Sequence, residues 1–209
     1  MKYVKLLSLL SVAAFALTGC KKTCSKDEFM DLVNKTEPHQ YAKAYAKCKG
    51  KVTGKTEGIN QTYEPNETFE FTYTNNGWEY ANVNDGASLG DMKSSIILTC
   101  QVLISVNAKN IFESEDAITT TDQTKFTYYS SPLGFNAKSD FKDYKQTLSE
   151  YYNIVLNGKS DSTYTFDSNN GAILSYSEKS DIKMVIDMDS MKISSSSVTD
   201  MTIEFTYKD

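Results

Sequence analysis

The sequence contains no arginine: all 22 basic residues are lysines, against 27 acidic residues and a formal net charge of −5. Bidentate recognition of phosphate or carboxylate groups is the work of the guanidinium fork, so that mode of binding is absent. Proteins that bind nucleic acid need clustered basic residues, which an acidic chain of this kind lacks. The composition therefore argues against nucleic acid as a partner.

Histidine is almost as rare, because His39 is the one copy. It stands just beyond Pro38, where a surface or capping role is expected rather than that of a ligand. The sequence has no His/Cys cluster at metal-ligand spacing, no glycine-rich phosphate loop and no CxxC pair. We therefore expect no metal and no cofactor.

The scarcity of histidine also decides how a serine motif is interpreted. Residues 86–90 read GASLG and fit G-x-S-x-G, the turn that carries the catalytic serine of many esterases and lipases. In that class the histidine follows the serine, whereas His39 precedes Ser88, so nothing in the usual triad takes the serine proton. A dyad with Lys93 has no supporting signal. We predict that the chain is not an enzyme, and that Ser88 caps a helix with Asp91 at its third position.

The N-terminal apolar run, residues 6–17, is shorter than the ~20 residues that a membrane-spanning helix needs. Lysines precede it, and the letters LTGC close it at residues 17–20. This order resembles the signal peptide and lipobox of bacterial lipoproteins, in which the cysteine thiol receives a diacylglycerol before cleavage. The resemblance covers the first twenty residues. It implies a signal peptide over residues 1–19 and lipidation of Cys20.

A lipidated N-terminus implies export and anchoring to a bacterial membrane. Each buried acyl methylene contributes ~0.8 kcal/mol, so two or three acyl chains anchor a protein stably. Lys21 and Lys22 follow the lipid and can contact anionic headgroups at ~1 kcal/mol each. We expect residues 20–24 to form the lipidated tether and residues 25–209 to form a single domain.

Three further cysteines remain: Cys24, Cys48 and Cys100. An exported compartment permits disulfides, but an odd number leaves at least one thiol without an intramolecular partner. A bridge between Cys24 and Cys48 requires the chain to fold back near Pro38, and one between Cys48 and Cys100 requires two segments to pack together. Buried free thiols are the equal alternative.

Helical signals are concentrated in the first half of the domain. Ser25 and Glu28 form a capping box, which predicts a first helix. A second helix is expected after Pro38, and the run SSIILTCQVLISV within residues 88–107 favours a third, buried helix. A short helix is also predicted from three apolar residues further on. The apolar faces of the first, second and short helices are Phe29, Leu32 and Val33; Tyr41, Ala42, Tyr45 and Ala46; and Phe141, Tyr144 and Leu148, respectively.

Alternating letters predict strands. A hairpin is expected around Asn75-Asn76-Gly77, and a meander in the last sixty residues. Ile182, Met184, Ile186 and Met188 fall on one face, as do Met201, Ile203, Phe205 and Tyr207. Further strands are predicted at 125–131, 151–156, 162–167, 172–178, 181–188, 191–196 and 201–207.

The letters DSNNG at residues 167–171 bear a partial likeness to a calcium-binding loop, with Glu178 at the twelfth position. An EF-hand loop needs Asp or Asn at its fifth position and glycine at its sixth. Here those positions are Gly171 and Ala172, and the flanking letters are strand-like. The pattern is therefore interpreted as a hairpin turn.

The predicted elements give an α+β domain, a curved antiparallel sheet covered by two or three helices. The order of elements, with YTFDSNNGAIL at 164–174 leading into a run of strands, resembles the half-barrel of bacterial lipoprotein carriers and related lipid-binding lipoproteins. That resemblance implies a non-enzymatic binder of a lipid or other hydrophobic ligand. The alternative is a surface interaction or structural lipoprotein that contacts a protein or cell-envelope partner.

Overall fold

A computed structural model describes residues 21–81, 91–119, 123–149, 152–188 and 191–209. In chain order the elements are β1 (Lys22–Cys24), α1 (Lys26–Val33), β2 (Lys43–Thr56), β3 (Ile59–Tyr63), β4 (Asn66–Thr74), β5 (Gly77–Tyr80), α2 (Met92–Ser105), α3 (Ala108–Thr119), β6 (Thr124–Ser131), β7 (Leu133–Ser149), β8 (Tyr152–Phe166), β9 (Ile173–Met188) and β10 (Met191–Lys208). They confirm the predicted α+β class.

All ten strands belong to one sheet, in the order β1-β6-β7-β8-β9-β10-β2-β4-β5, with β3 paired to β2 beside this path. Every described strand pair is antiparallel. The sheet begins at Lys22, within the range expected to be a tether, because β1 pairs with β6. The predicted 75–77 hairpin is confirmed by the pairing of β4 with β5.

The predicted second helix is wrong, because the chain from Lys43 to Thr56 is strand β2. Ala44 and Ala46 are fully buried, while Lys43 and Lys47 are exposed, which is the two-residue period of a strand. Alanine favours helices in isolation, but here small side chains let a covering layer approach the sheet. Tertiary packing overrides the local propensity.

The predicted short helix at Phe141, Tyr144 and Leu148 is also wrong, since these residues belong to β7. A bulge lies between Phe141 and Tyr144, where Asp143 has a φ of 49°. The extra residue at a bulge shifts the alternation and gives the apolar letters a helix-like spacing.

The separate short strands predicted after residue 150 are parts of three long strands. The ranges 151–156 and 162–167 largely coincide with β8, 172–178 and 181–188 with β9, and 191–196 and 201–207 with β10. The turn at 167–171 between β8 and β9 is confirmed, and the Asp167 carboxylate accepts hydrogen bonds from backbone N–H groups within it.

The first helix has the predicted capping box: Ser25 accepts from the Glu28 N–H, and Glu28 accepts from the Ser25 N–H. The predicted buried helix is α2, which starts at Met92. Its N-cap is Asp91, whose carboxylate accepts from the Ser94 N–H at 2.7 Å. The expected placement of Asp91 at the third helical position is therefore wrong.

The core lies between the helices and one face of the sheet, called the inner face below. Phe29 of α1 and Phe112 of α3 pack edge-to-face on each other and on Phe135 of β7. Ile203 and Phe205 of β10 extend the same core beside β2. Because the helices are short, they cover only part of the inner face.

Candidate functional site

The long strands β7 to β10 carry a second apolar surface on the inner face, beyond the core. Leu156 pairs with Met184, Ile154 pairs with Ile186, and Ile186 pairs with Ile193. Ile182 lies two residues before Met184 and so points to the same face. We call this surface the apolar strip: Ile154, Leu156, Ile182, Met184, Ile186 and Ile193. It confirms the prediction that Ile182, Met184 and Ile186 of β9 share one face.

The apolar strip is separate from the core. All six side chains are half-buried, and none of them belongs to the core cluster or packs against it. They share a face with core residue Tyr176, because the pairing of β9 with β8 and β10 runs without a register shift from Tyr176 to Met188. The strip is therefore an apolar continuation of the core-facing surface that no described helix seals.

A row of hydroxyl groups separates the core from the strip. Directly paired positions place one serine or threonine on each of five adjacent strands. We call this the hydroxyl row: Thr124, Ser139, Ser160, Ser180 and Thr199. Ser139 and Ser180 are buried, and Thr124 and Ser139 hydrogen-bond at 3.0 Å. Moving along β9, the inner face changes from aromatic to polar to aliphatic.

Two glutamates lie on the core side of the hydroxyl row. Tyr164 donates to Glu115 at 2.5 Å, and Tyr176 and Ser180 donate to the two oxygens of Glu178, each at 2.7 Å. Burial raises the pKa of Glu115, the hydrogen bond from Tyr164 opposes this, and the nearby Glu178 charge adds to the rise. These groups make the boundary of the core a polar, hydrogen-bonding edge.

The outer face of the same strands is charged. Lys138 pairs with Asp161 at 3.1 Å and Lys179 with Asp200 at 3.4 Å. A depression of about 500 Å³ has Lys138, Asp161 and Lys179 in its lining. Exposed ion pairs of this kind contribute only ~0–1 kcal/mol. They make the outer face a solvated surface, so the strip is the apolar side of an amphipathic sheet.

A second concave region lies at the other end of the inner face. This aromatic cleft has a volume of about 390 Å³. Its ring-bearing lining residues are His39, Tyr41, Tyr73, Trp78 and Tyr207. His39 hydrogen-bonds Asp209 at 2.7 Å and packs edge-to-face on Tyr41, so it has the surface role expected of it.

Ser88, the predicted helix cap, and Cys20, the predicted lipidation site, lie outside the described residues. Lys93 is described, and it pairs with Glu67 at 3.2 Å. Lys21 lies over the Tyr129 ring at 4.6 Å, close to the first strand. The pairing of Ser88 with Lys93 therefore lies outside the described residues.

The cysteines fall into two groups. Cys48 and Cys100 are completely buried, and their sulfur atoms are 3.7 Å apart. Cys24, on the edge strand β1, is partly exposed. All three are free thiols in the structure, so neither of the two possible bridges is closed, and Cys48 and Cys100 are the buried free thiols of the alternative.

No protein-family model, curated protein or solved structure matches this chain. The functional argument therefore rests on the apolar strip, the hydroxyl row and the aromatic cleft.

Two further properties of the described ranges bear on the site. Within residues 21–81, 91–119, 123–149, 152–188 and 191–209, no three His, Cys, Asp or Glu residues are grouped so as to hold a metal ion. Among the described helices none is long and apolar enough alone to cross a membrane, although α2 and the start of α3, bent by 116°, pass that test together.

The sequence predicts only part of the apolar strip. The alternation of Ile182, Met184 and Ile186 predicts one of its strands, but Ser160 and Ser180 of the hydroxyl row fall in the gaps between predicted strands. Placing the strip needs the register between β8, β9 and β10, which the letters of any one strand do not contain.

Proposed function

We propose that this chain is a non-enzymatic, membrane-anchored bacterial lipoprotein that binds a lipid or other hydrophobic ligand along the apolar strip. The observation that carries the proposal is the uncovered aliphatic surface next to a row of hydroxyl groups. An amphiphile matches that sequence of surfaces, with its chain over the aliphatic side chains and its polar end at the hydroxyl row. Ligand sites are typically mostly apolar, with a few placed polar groups.

Energetics favour an occupant on the strip. Covering apolar surface contributes ~25 cal/mol per Å². Half-buried residues such as Leu156, Met184 and Ile186 keep part of this surface in contact with water in the described chain. A fatty acyl chain laid along β8 and β9 removes that surface from water without desolvating charged groups, because the lysine–aspartate pairs lie on the opposite face.

The proposed anchor and the strip lie at opposite ends of the strands. Thr23, three residues after Cys20, pairs with Tyr129, which pairs with Gly134, and Gly134 pairs with Thr165 of β8. Leu156 is nine residues further along β8, roughly 30 Å at ~3.3 Å per residue. A lipid on Cys20 would hold the strip away from the anchoring membrane, so we propose that the strip binds a free amphiphile.

The half-barrel of the lipoprotein carriers remains part of this proposal. An open antiparallel sheet with helices on its inner face supports such an arrangement, with the strip as the counterpart of an acyl-binding surface. The non-enzymatic part is supported by the sequence, in which the one histidine, His39, precedes Ser88, and by the hydrogen bond that His39 makes with Asp209.

A binding titration tests the proposal. The chain from residue 21 to 209, which holds every described element, is titrated with a fluorescent fatty acid. Ile186→Glu should weaken binding at least ~10-fold, since the acyl chain would have to cover a carboxylate whose desolvation costs more than ~1.4 kcal/mol, the equivalent of a tenfold change. Val185→Glu is the matched control, because Val185 is adjacent on β9 and points to the outer face.

The two variants also distinguish the lipid binder from the alternative function, a surface interaction protein. If both bind like the unchanged chain, or if no fatty acid binds, the strip is not a lipid site. The aromatic cleft then becomes the leading surface, since Tyr73 is 41% exposed there and aromatic side chains are enriched at protein interfaces. That outcome would favour the interaction protein over the binder.

A further inference from the structure

Two thiols meet in the core where strand and helix pack together. Cys48 lies on the inner face of β2, in the alternating series with Ala44 and Ala46, and Cys100 lies on α2. Both have no exposed surface, and their sulfur atoms are 3.7 Å apart although the residues are 52 positions apart in the chain.

We propose that Cys48 and Cys100 form a disulfide that closes during folding and joins α2 to the sheet. The sulfurs need to approach by less than ~2 Å, since a disulfide bond measures ~2.05 Å. The proposal concerns the two thiols alone and does not depend on lipid binding or on the Cys20 anchor.

The chemistry is thiol–disulfide exchange with a disulfide oxidant, such as oxidised glutathione or an exported disulfide oxidoreductase. One cysteine, as the thiolate, attacks the oxidant disulfide, forms a mixed disulfide and releases one oxidant thiolate. The second thiolate then attacks the sulfur of the first cysteine and releases the other oxidant thiolate. Two protein thiols lose two protons and two electrons, and the oxidant disulfide is reduced to two thiols.

The folded core fixes the order of these events. The reactive form of cysteine is the thiolate. The hydrogen bond with Cys48 and burial raise the pKa of the Cys100 thiol far above its ordinary value, so this thiol stays protonated in the packed core. An oxidant also cannot reach sulfurs with no exposed surface. The disulfide therefore has to form before α2 packs on β2 during folding.

Cys24 provides the internal control. It lies on the edge strand β1, is partly exposed, and pairs with Tyr128 of β6, away from β2 in the strand order. It should keep its thiol under conditions that oxidise the buried pair. The three cysteines thus make a mapping experiment interpretable without any substitution.

The test uses residues 21–209, which hold every described element and whose cysteines are Cys24, Cys48 and Cys100, refolded from the reduced, denatured state in a mixture of oxidised and reduced glutathione. Free thiols are blocked with N-ethylmaleimide in denaturant, disulfides are then reduced, and the new thiols are alkylated with iodoacetamide before peptide mapping. We expect iodoacetamide on Cys48 and Cys100 and N-ethylmaleimide on Cys24. Maleimide on all three after oxidative refolding would overturn the proposal.

Two further measurements are decisive. Oxidised glutathione added after reductive folding should leave Cys48 and Cys100 reduced over the time in which refolding oxidises them; equal oxidation in both orders contradicts closure during folding. A reductant should lower the urea midpoint of the oxidised chain, and equally that of Cys24→Ser. An unchanged midpoint in a chain mapped as oxidised would contradict a bond that holds α2 to the sheet.

Discussion

At the scale of single residues, Asp91 sets the start of α2. Its carboxylate accepts from the Ser94 N–H and satisfies one of the unpaired donors of the first turn. We predict that Asp91→Ala lowers the free energy of unfolding by ~1 kcal/mol, whereas Asp91→Asn, which keeps the acceptor, changes it by a few tenths. Urea unfolding followed by circular dichroism measures both. Equal stabilities of the alanine and asparagine variants would contradict the role of the Asp91 side chain as the cap of α2.

Glu115 carries a second residue-scale prediction, on pH. Its folded-state pKa is raised, mainly by burial, so the folded protein holds this proton more tightly than the unfolded chain. The penalty is absent below the ordinary pKa of a glutamate and is complete above the raised value, so stability falls as pH rises through that window. Glu115→Gln keeps an acceptor for Tyr164 and removes the ionisation.

We therefore expect Glu115→Gln to gain stability relative to the unchanged chain as pH rises from 4 to 7. Glu113→Gln is the control, because Glu113 is exposed and pairs weakly with Lys109 at 3.9 Å. The measurement is the urea midpoint at a series of pH values. A difference that stays constant over this range, or one that Glu113→Gln reproduces, would contradict the assignment.

At the scale of elements, β2 shows why a helix prediction failed. The helical spacing lies in Tyr41, Ala42, Tyr45 and Ala46. The same stretch also alternates, because Ala42, Ala44 and Ala46 occupy every second position. Only the packing of α2 and the pairing with β10 and β4 select the second pattern. The capping box of α1 and the hairpin at Asn75-Asn76-Gly77 were predictable because a few adjacent residues determine them.

A substitution separates the two interpretations of β2. In the strand, Ala44 is fully buried and Tyr45 points to the other face, whereas the helix prediction placed Tyr45 on the apolar side and left Ala44 off it. We predict that Ala44→Lys costs more than ~3 kcal/mol because it buries a charge. Tyr45→Lys should cost ~1 kcal/mol. Thermal unfolding of both variants checks the order, and a more damaging Tyr45→Lys would restore the helix.

The long strands explain why five short ones were predicted. Ser160, Ser180 and Thr199 fall between the predicted strands because serine and threonine are typical of turns, yet here they lie within β8, β9 and β10. Some hydroxyl groups of the sheet hydrogen-bond across strands, as between Thr165 and Ser175. Cross-strand hydrogen bonds of this kind stabilise a strand against its local propensity. These serine and threonine residues therefore lie where the hydroxyl row crosses the sheet.

At the scale of the whole molecule, strand order decides the site. The C-terminal strand β10 lies between β9 and β2, which brings residues 43–56 beside residues 195–208. Such pairings cannot be read from local patterns. The α+β class could be predicted, because alternation and helical spacing report the types of element. The apolar strip needed the registers of three strands together.

The proposed anchoring is a prediction at the scale of the whole molecule. We predict that Cys20→Ala abolishes labelling with radioactive palmitate and leaves an unprocessed precursor, because under the proposal Cys20 is the residue that accepts the diacylglycerol. Cys24→Ser, four residues later, is the matched control and should be labelled and processed normally. Normal labelling of Cys20→Ala would contradict the proposed anchor, with no consequence for the apolar strip.

Photo-crosslinking tests the central claim, that the strip binds a hydrophobic ligand, most directly. A fatty acid with a photoreactive group on its chain is bound to residues 21–209, irradiated and mapped by mass spectrometry. The account predicts crosslinks to β8, β9 and the start of β10, at residues 154–156, 182–186 and 193, and their loss in Ile186→Glu but not in Val185→Glu. Crosslinks confined to the aromatic cleft, or no crosslinks above those of an unfolded control, would contradict it.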